Sequence, residues 1–276
     1  MIWVKRLIAP VIILILLFGS VRSPEPIAGF DFKRFGQLPV LLDGRVQPLD
    51  TVARNSLLIL NSKSTPKIEL DGEKQKVLPA EWLAMLLFEP ERANQLKVIR
   101  IHNEEVKDML ELPLSQKDFS MDELSPHVEA IEAQSEAASL LETPQRDAFQ
   151  RAVVELHRKI ILHLQLSYSV WIYDQESLSG EWDTFVGHVL DPAAKPSLKE
   201  LFLARYTRMS QVGLLRLVVD QQGDWRTIGQ TQLDSLATEQ WDPMVAAYLE
   251  AAEAYRGSRI EAFDTIVGGV VSATGF

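Results

Sequence analysis

Two long runs of apolar residues, spaced three and four apart, constrain the fold of this chain more than any other feature. The first run extends from Met121 to Ala138 and the second from Phe149 to Val170, with Thr143-Pro144 between them. Each run gives a helix one apolar face, so the sequence predicts an antiparallel helical hairpin. Its second helix is expected from Pro144 to about Asp174, a length of about 45 Å at 1.5 Å per residue.

This helical hairpin has two possible roles. Paired amphipathic helices most often only bury each other's apolar faces, which makes the hairpin part of the core. The alternative is a lever that contacts a partner protein, and the sequence leaves both open. Because the second helix is apolar on nearly every side after Ile160, we expect a buried base and a projecting tip.

A stretch near the N-terminus joins a predicted β-hairpin directly to a helix. The apolar run at 38–42 and the run at 45–49 flank Asp43-Gly44, a pair that accepts the positive φ angles of a tight turn. Asp50 follows Pro48 as the predicted N-cap of the helix. The predicted buried face of this helix comprises Val52, Ser56, Ile59 and Leu60.

Three charged residues bracket this junction: Arg45, Asp50 and Arg54. Asp50 and Arg54 lie four apart, the spacing that places two side chains on neighbouring helical turns. One interpretation is an ion pair that holds the hairpin on the helix. The alternative is a docking or ligand-binding role, which makes these three residues the candidate partner-binding site.

Turn and cap signals predict shorter elements on both sides of the helical hairpin. A second β-hairpin is expected at 67–77 around Asp71-Gly72, followed by a helix from Pro79 to just before Pro90 and a strand at 96–101. The apolar face of that helix is predicted to consist of Trp82, Leu83, Leu86 and Leu87.

The last hundred residues are predicted to be rich in helix. Ser197 and Ser258 each precede a glutamate by three residues, which is the spacing of a capping box. Asp242-Pro243 is a further helix start and Gly257 a helix end. The segments 215–219 and 225–228 are expected to form another small hairpin.

The first 22 residues suit a membrane anchor. They contain no acid, and an apolar run at 7–18 follows Lys5 and Arg6. That run is shorter than the roughly 20 residues that cross a bilayer, but residues 2–4 extend it if both cations snorkel to the headgroups. We therefore expect a retained single-pass anchor through residues 2–21 in the inner membrane, with a cytoplasmic N-terminus and a periplasmic bulk. A cleaved signal peptide is the alternative.

Composition predicts a folded domain after the anchor and excludes several classes of protein. The chain is 46% hydrophobic, enough to bury a core, and its net charge of −10 disfavours nucleic acid and an anionic membrane surface as partners. Cysteine is absent, which excludes disulfides, a Cys-x-x-Cys-His haem attachment, thiol redox motifs and cysteine zinc sites.

Catalytic and metal-binding patterns are weak. The five histidines include no His-x-x-x-His pair, and His163 lies on the apolar seam of the helical hairpin, where we expect a satisfied core histidine. Ser64-Thr-Pro-Lys67 fits the Ser-x-x-Lys pattern of penicillin-binding enzymes, but their companion motifs are missing. We therefore expect no catalytic, cofactor-binding or metal-binding residue in this chain.

The run LPVLLDGRVQPLDTVARNSL at 38–57 resembles the opening of the extracytoplasmic region of CcsA-like proteins of system II cytochrome c biogenesis. The matching pattern is LPV, then GR, then PLDT, then AR, with Gln47 where the family is expected to have lysine. EWLAMLLFEPERA at 81–93, IHNEE at 101–105 and GDWRTIG at 223–229 are similar in order and spacing. The resemblance spans about residues 30–265, and its first run is the most specific.

What the resemblance implies is a non-catalytic exported component of cytochrome c maturation. It would position apocytochrome c or the polytopic haem-handling membrane subunit, and haem is expected only in that membrane partner. The chain is then either separately encoded or a fragment of a longer protein. An anchored periplasmic serine hydrolase of the Ser64/Lys67 type and a general helical adaptor of the cell envelope are the alternatives.

The fold class expected from all these features is mainly α, with small β-hairpins, behind an N-terminal membrane helix. We expect four segments: an anchor or uncleaved signal at 1–22, a hairpin and helix subdomain at 30–118, the antiparallel helical hairpin at 119–176, and a helical C-terminal part at 177–276.

Overall fold

The computed structural model describes residues 29–70, 73–170, 196–220, 222–238 and 242–274. These residues are mainly helical with small antiparallel strand pairs, which confirms the mainly α class. No helix among them has the length and apolar character needed to cross a bilayer. The predicted anchor at 1–22 lies outside the described residues.

Twelve α-helices occur in the described residues. In chain order they are α1 (Phe32–Phe35), α2 (Leu49–Asn61), α3 (Pro79–Phe88), α4 (Pro90–Ala93), α5 (Glu104–Met109), α6 (Met121–Leu124), α7 (Val128–Ser139), α8 (Ala148–Ser167), α9 (Pro196–Val212), α10 (Ile228–Thr238), α11 (Pro243–Arg256) and α12 (Ile260–Thr274).

The strands of the described residues form four separate antiparallel pairs. They are β1 (Pro39–Leu42) with β2 (Arg45–Pro48), β3 (Lys67–Leu70) with β4 (Glu73–Lys76), β5 (Ile99–Arg100) with β6 (Asp118–Phe119), and β7 (Val218–Val219) with β8 (Trp225–Arg226).

The first hairpin forms as the sequence predicts. Asp43 and Gly44 have φ angles of 51° and 73°, the positive values of a type I′ turn, which matches the twist of the two flanking strands. Pro39 lies opposite Pro48 and Leu42 opposite Arg45. The second hairpin, β3 with β4, is also confirmed, but its predicted turn at 71–72 lies outside the described residues.

The start of α2 differs from the prediction. Pro48 is the N-cap residue, and Asp50 lies in the first helical turn. The helix begins two residues earlier, because Leu49 is fully buried and its N–H is already bonded, at 2.9 Å, to the carbonyl oxygen of Leu38. Asp50 still suits the positive end of the helix dipole.

The helices α7 and α8 form the predicted antiparallel hairpin, which we call the arm (residues 128–167). The first helix begins at Val128 rather than Met121, because a 3₁₀ turn at Ser125–His127 separates it from α6. The second helix begins at Ala148 rather than Pro144, because Asp147 is its N-cap and Thr143–Gln145 forms a separate 3₁₀ turn. With 20 residues, α8 is about 30 Å long rather than 45 Å. Its predicted end at Asp174 lies outside the described residues.

The helix α3 is the centre of the fold. All ten of its residues are buried, not only the predicted face of Trp82, Leu83, Leu86 and Leu87. The helices α1, α2, α8 and α11 surround it. A helix that is apolar all round is stable only when it is enclosed in this way, and α3 is uncharged except at Glu81.

Six aromatic rings connect the beginning of the described chain to its end. Their members are Phe30, Phe32, Phe35, Phe88, Tyr255 and Phe263. The ring of Phe263 lies at the centre, with centroid distances of 5.1 Å to Phe30 and 6.4 Å to Phe32 among its five neighbours. These contacts pack α1 and the end of α3 against α11 and α12.

Of the helix caps predicted in the last hundred residues, two are wrong and two are confirmed. Ser197 lies inside α9, and Ser258 has a left-handed φ of 53° in the turn before α12. Asp242 caps α11 as predicted, since its Oδ1 accepts hydrogen bonds from the N–H groups of Met244 and Val245 at 2.8 and 3.3 Å. Gly257 follows the last residue of α11, also as predicted.

The predicted strand at 96–101 is much shorter than expected. Only Ile99 and Arg100 form ladder pairs, opposite Phe119 and Asp118. The preceding residues turn instead, because the N–H of Val98 donates to the carbonyl oxygen of Leu96 at 2.9 Å. The last predicted hairpin is confirmed in a shorter form, as β7 with β8.

Candidate functional site

The junction of the first hairpin with α2 is locked by backbone contacts. The N–H of Asp50 donates to the carbonyl oxygen of Gly36 at 2.9 Å. A Cβ at Gly36 would lie only 3.0 Å from the Cβ of Asp50 and 3.2 Å from that of Ala80, so glycine permits this close approach. An isolated bridge between Leu41 and Arg216 ties the hairpin to the C-terminal half. The junction is therefore a structural joint between distant parts of the chain.

The three predicted site residues lie at this joint but do not form one cluster. Nε of Arg54 donates to Oδ2 of Asp50 at 2.6 Å, with 45% and 37% of the two side chains exposed. Both residues belong to α2, so the ion pair does not connect the helix to the hairpin. Arg45 is exposed at the start of β2, and its side chain makes no hydrogen bond or ion pair with any other described residue.

The outer face of α2 carries apolar side chains beside this ion pair. Leu58 and Ile59 are each 53% exposed, and Leu58 lies one turn after Arg54. We call Asp50, Arg54, Leu58 and Ile59 the α2 outer stripe. The prediction that Ile59 is buried is wrong, because Ala53 and Leu57 occupy the inner face instead. Sequence spacing alone did not show which side of α2 faces α3.

His163 lies at the base of the arm and is fully buried, as predicted. Its Nε2 donates to Oδ1 of Asn94 at 2.8 Å, which ties α8 to the segment after α4. Its Nδ1 has no hydrogen-bond partner among the described residues, so the expected satisfied histidine is only half satisfied. Burial lowers the pKa of His163 from 6.5 to about 4, so the ring is neutral near pH 7.

Ser64 and Lys67 do not form a reactive pair. Ser64 lies in the bend after α2, and Lys67 is the exposed first residue of β3. Among the described residues no hydrogen bond joins the Ser64 hydroxyl to the Lys67 ammonium. A serine nucleophile needs a base within about 2.6–3.2 Å, so the geometry gives the Ser-x-x-Lys pattern no support.

A cleft of about 350 Å³ lies between α8 and the loop after β5. Its most buried polar side chain is Lys159, whose Nζ donates to the carbonyl oxygen of Arg100 at 2.9 Å and pairs with Oε1 of Glu155 at 2.7 Å. His102 and Arg151 also line the cleft. Sequence reasoning missed this cleft, because its residues come from segments about 50 positions apart.

A second cleft, of about 460 Å³, lies at the opposite end of α2 from the ion pair and is lined mostly by basic residues. Sequence reasoning missed it as well, since its lysines are dispersed between positions 63 and 117. In the part of the chain that the structure describes, no group of three or more His, Asp or Glu side chains is placed to hold a metal ion.

Neither of two comparisons with known proteins assigns the chain to a family. No family model matches the sequence, and no curated protein matches it.

Proposed function

We propose that this protein is a non-catalytic, exported component of cytochrome c maturation of the CcsA-like system II type. Its task would be to position apocytochrome c or the polytopic haem-handling membrane subunit. The resemblance of residues 38–57 to the CcsA-like extracytoplasmic region motivates the proposal. An N-terminal anchor over residues 1–22 would hold the domain at the periplasmic face of the inner membrane, beside that subunit.

The observation that carries the proposal is that residues 38–57 divide into buried apolar side chains and exposed charged ones. Leu38, Val40 and Leu49 are fully buried or nearly so, and they hold the joint together. Arg45 and Arg54 are exposed, and neither forms a bond that connects the hairpin to the helix. Exposed charged side chains that form no bond between the hairpin and the helix are available to a partner.

The apolar part of the α2 outer stripe supports the same interpretation. Leu58 and Ile59 are adjacent, and each leaves about half of its side chain in contact with water. Exposed apolar residues beside charges are typical of protein contact surfaces, while single exposed ones are common everywhere. A partner that covers this face would remove both side chains from water and contact Arg54 at the rim.

Affinity recovery from membranes tests the proposal. The full-length tagged chain is solubilised in a mild detergent, and haem absorbance of the recovered material is measured. We expect a polytopic haem protein to be recovered with the wild type, and Leu58→Glu to reduce its recovery by about tenfold, because a buried unpaired charge costs more than 1.4 kcal/mol.

The matched control is Leu203→Glu, since Leu203 of α9 is also 53% exposed and the charge change is identical. Recovery should stay at the wild-type level in this variant. Equal losses in the two variants, or recovery of the wild-type domain without any haem protein, would overturn the proposal.

A further inference from the structure

A strongly basic cleft lies between the end of α2, the β3–β4 hairpin and the paired strands β5 and β6. It is the cleft of about 460 Å³ noted above, and we call it the basic cleft. Six cationic side chains line it: Lys63, Lys67, Lys74, Lys97, Arg100 and Lys117. Glu69 and Asp118 are its only acidic lining residues. This local excess of positive charge contrasts with a chain whose net charge is −10.

One of the two acids that line the basic cleft, Asp118, is already engaged. Both carboxylate oxygens of Asp118 accept hydrogen bonds from Arg100, at 2.7 and 2.8 Å. Lys97 pairs with Glu123 at 3.1 Å. The ammonium groups of four lysines make no hydrogen bond or ion pair with another described residue, and these lysines are Lys63, Lys67, Lys74 and Lys117.

The open face of the β3–β4 hairpin has an excess of positive charge, since it carries three lysines and one acid: Lys67, Lys74, Lys76 and Glu69. Lys67 lies directly opposite Lys76 in the ladder, and like charges in that position repel each other. Ile68 points to the other face and is buried, so the hairpin register fixes Lys67 and Lys74 on the open side. Glu69 lies directly opposite Lys74 and offsets only part of this charge.

A buried polar side chain with a free acceptor also lines the basic cleft. Asn61 is 1% exposed, and its Nδ2 donates to the carbonyl oxygen of Val98 at 3.3 Å and to Oδ1 of Asp118 at 3.0 Å. These two acceptors fix the orientation of the amide. Oδ1 of Asn61 then has no partner among the described residues, although buried oxygens nearly always have one.

We propose that the basic cleft binds a phosphate-bearing anion through Lys63, Lys67, Lys74 and Lys117. Lysine ammonium groups act as point charges and suit a polyvalent tetrahedral anion. A planar carboxylate is best bound by the guanidinium group of an arginine, which donates two parallel hydrogen bonds. The guanidinium group of Arg100 is already bound to the carboxylate of Asp118. Oδ1 of Asn61 would accept a hydrogen bond from a hydroxyl of the ligand or of the protonated phosphate.

The net negative charge of the chain does not prevent such binding. At physiological ionic strength, charges beyond about 8 Å are largely screened, so the lysines of the cleft dominate at the cleft itself. The phosphate has two possible sources, a soluble phosphate compound and the headgroup of an anionic lipid. The cleft would recognise the same phosphate group in both ligands, and two experiments distinguish the two sources.

In the first experiment, the full-length protein in a neutral detergent is titrated with pyrophosphate by calorimetry at constant ionic strength. In the second, co-sedimentation with phosphatidylcholine vesicles is compared with and without phosphatidylglycerol. The test variant is Lys67→Gln with Lys117→Gln, both exposed positions. We expect this variant to weaken the phosphate-dependent binding by about tenfold, since two cations near the anion are lost.

The matched control is Lys33→Gln with Arg158→Gln, which removes the same charge from exposed positions outside the cleft. It should bind like the wild type. Loss of binding only in the pyrophosphate titration supports a soluble ligand. Loss of binding only in the vesicle experiment supports a lipid headgroup. No binding in either arm, or equal weakening in the test and control variants, would overturn the proposal.

Discussion

The body around α3 and the tip of the arm are stabilised in opposite ways. At the body, the ring of Phe263 contacts five aromatic side chains, and the farthest of them in sequence, Phe30, is 233 residues away. At the tip, Nε of Arg146 donates to the carbonyl oxygens of Ala138 and Leu141, at 3.0 and 3.1 Å. The body therefore depends on contacts distant in sequence, and the tip depends on neighbours within eight residues.

This difference predicts how each region responds to substitution. Buried aromatic rings contribute several kcal/mol each, because their removal leaves a cavity among many neighbours. Hydrogen bonds at an exposed tip exchange with water, and each contributes about 1 kcal/mol. Damage to the body should destabilise the whole domain, whereas damage to the tip should stay local.

The largest effect is expected from Phe263→Ala. Phe263 is fully buried, so we expect the free energy of unfolding to fall by about 3–5 kcal/mol in urea denaturation followed by circular dichroism. Phe149→Ala is the control in the arm, where the same ring is only half-buried and should cost less than about 2 kcal/mol. Equal losses would contradict the proposed difference between body and arm.

The second effect is expected at His163, which joins the arm to the body. Its pKa in the fold is about 4, against 6.5 ordinarily, so only the unfolded chain takes up a proton between these pH values. The contribution to stability is complete above pH 6.5 and is lost as pH falls to 4, by about 3 kcal/mol.

The pH dependence of urea denaturation measures this contribution. His163→Gln should remove it, because glutamine keeps an N–H group that can donate to Asn94 and has no proton to gain. His102→Gln, at an exposed position, should leave the slope between pH 6.5 and 4 intact. A slope that persists in His163→Gln would show that the buried histidine is not its source.

The third effect is expected from Arg146→Ala at the tip. Loss of the bonds to Ala138 and Leu141 should fray the end of α7 and cost about 1 kcal/mol locally. Hydrogen exchange of peptides from 138–147 should accelerate by roughly fivefold to tenfold, while exchange in α3 stays unchanged. Arg158→Ala, at an exposed position, serves as control. Accelerated exchange throughout α3 would mean that the tip supports the body.

Sequence reasoning succeeded where a local signal decides the structure. Asp43-Gly44 specifies its turn, Asp242 specifies the start of α11, and apolar spacing specifies the arm. It failed where a distant contact decides, as in the exposed position of Ile59 and in the enclosure of α3 on every side. Local spacing cannot show which face of a helix meets a segment far along the chain.

The same limit applies to the candidate site. The ion pair of Asp50 with Arg54 follows from their separation of four, and the structure contains it. Arg45 does not join that pair, and the start of the helix is held instead by backbone hydrogen bonds to Gly36 and Leu38, which precede the hairpin. The two clefts were missed, since each is assembled from segments that only the fold brings together.

The smallest effect on stability, and the sharpest test of the arm as a contact surface, is expected from Leu140→Ser. Leu140 is 89% exposed at the tip, so its replacement should change the free energy of unfolding by less than about 0.5 kcal/mol. If the tip contacts the haem-handling subunit, recovery of that subunit should nevertheless fall, because an apolar contact is lost. Leu114→Ser, which is 53% exposed outside the arm, should retain full recovery. Unchanged recovery in Leu140→Ser would restrict the contact surface to the body, and the arm would then serve only to cover the core.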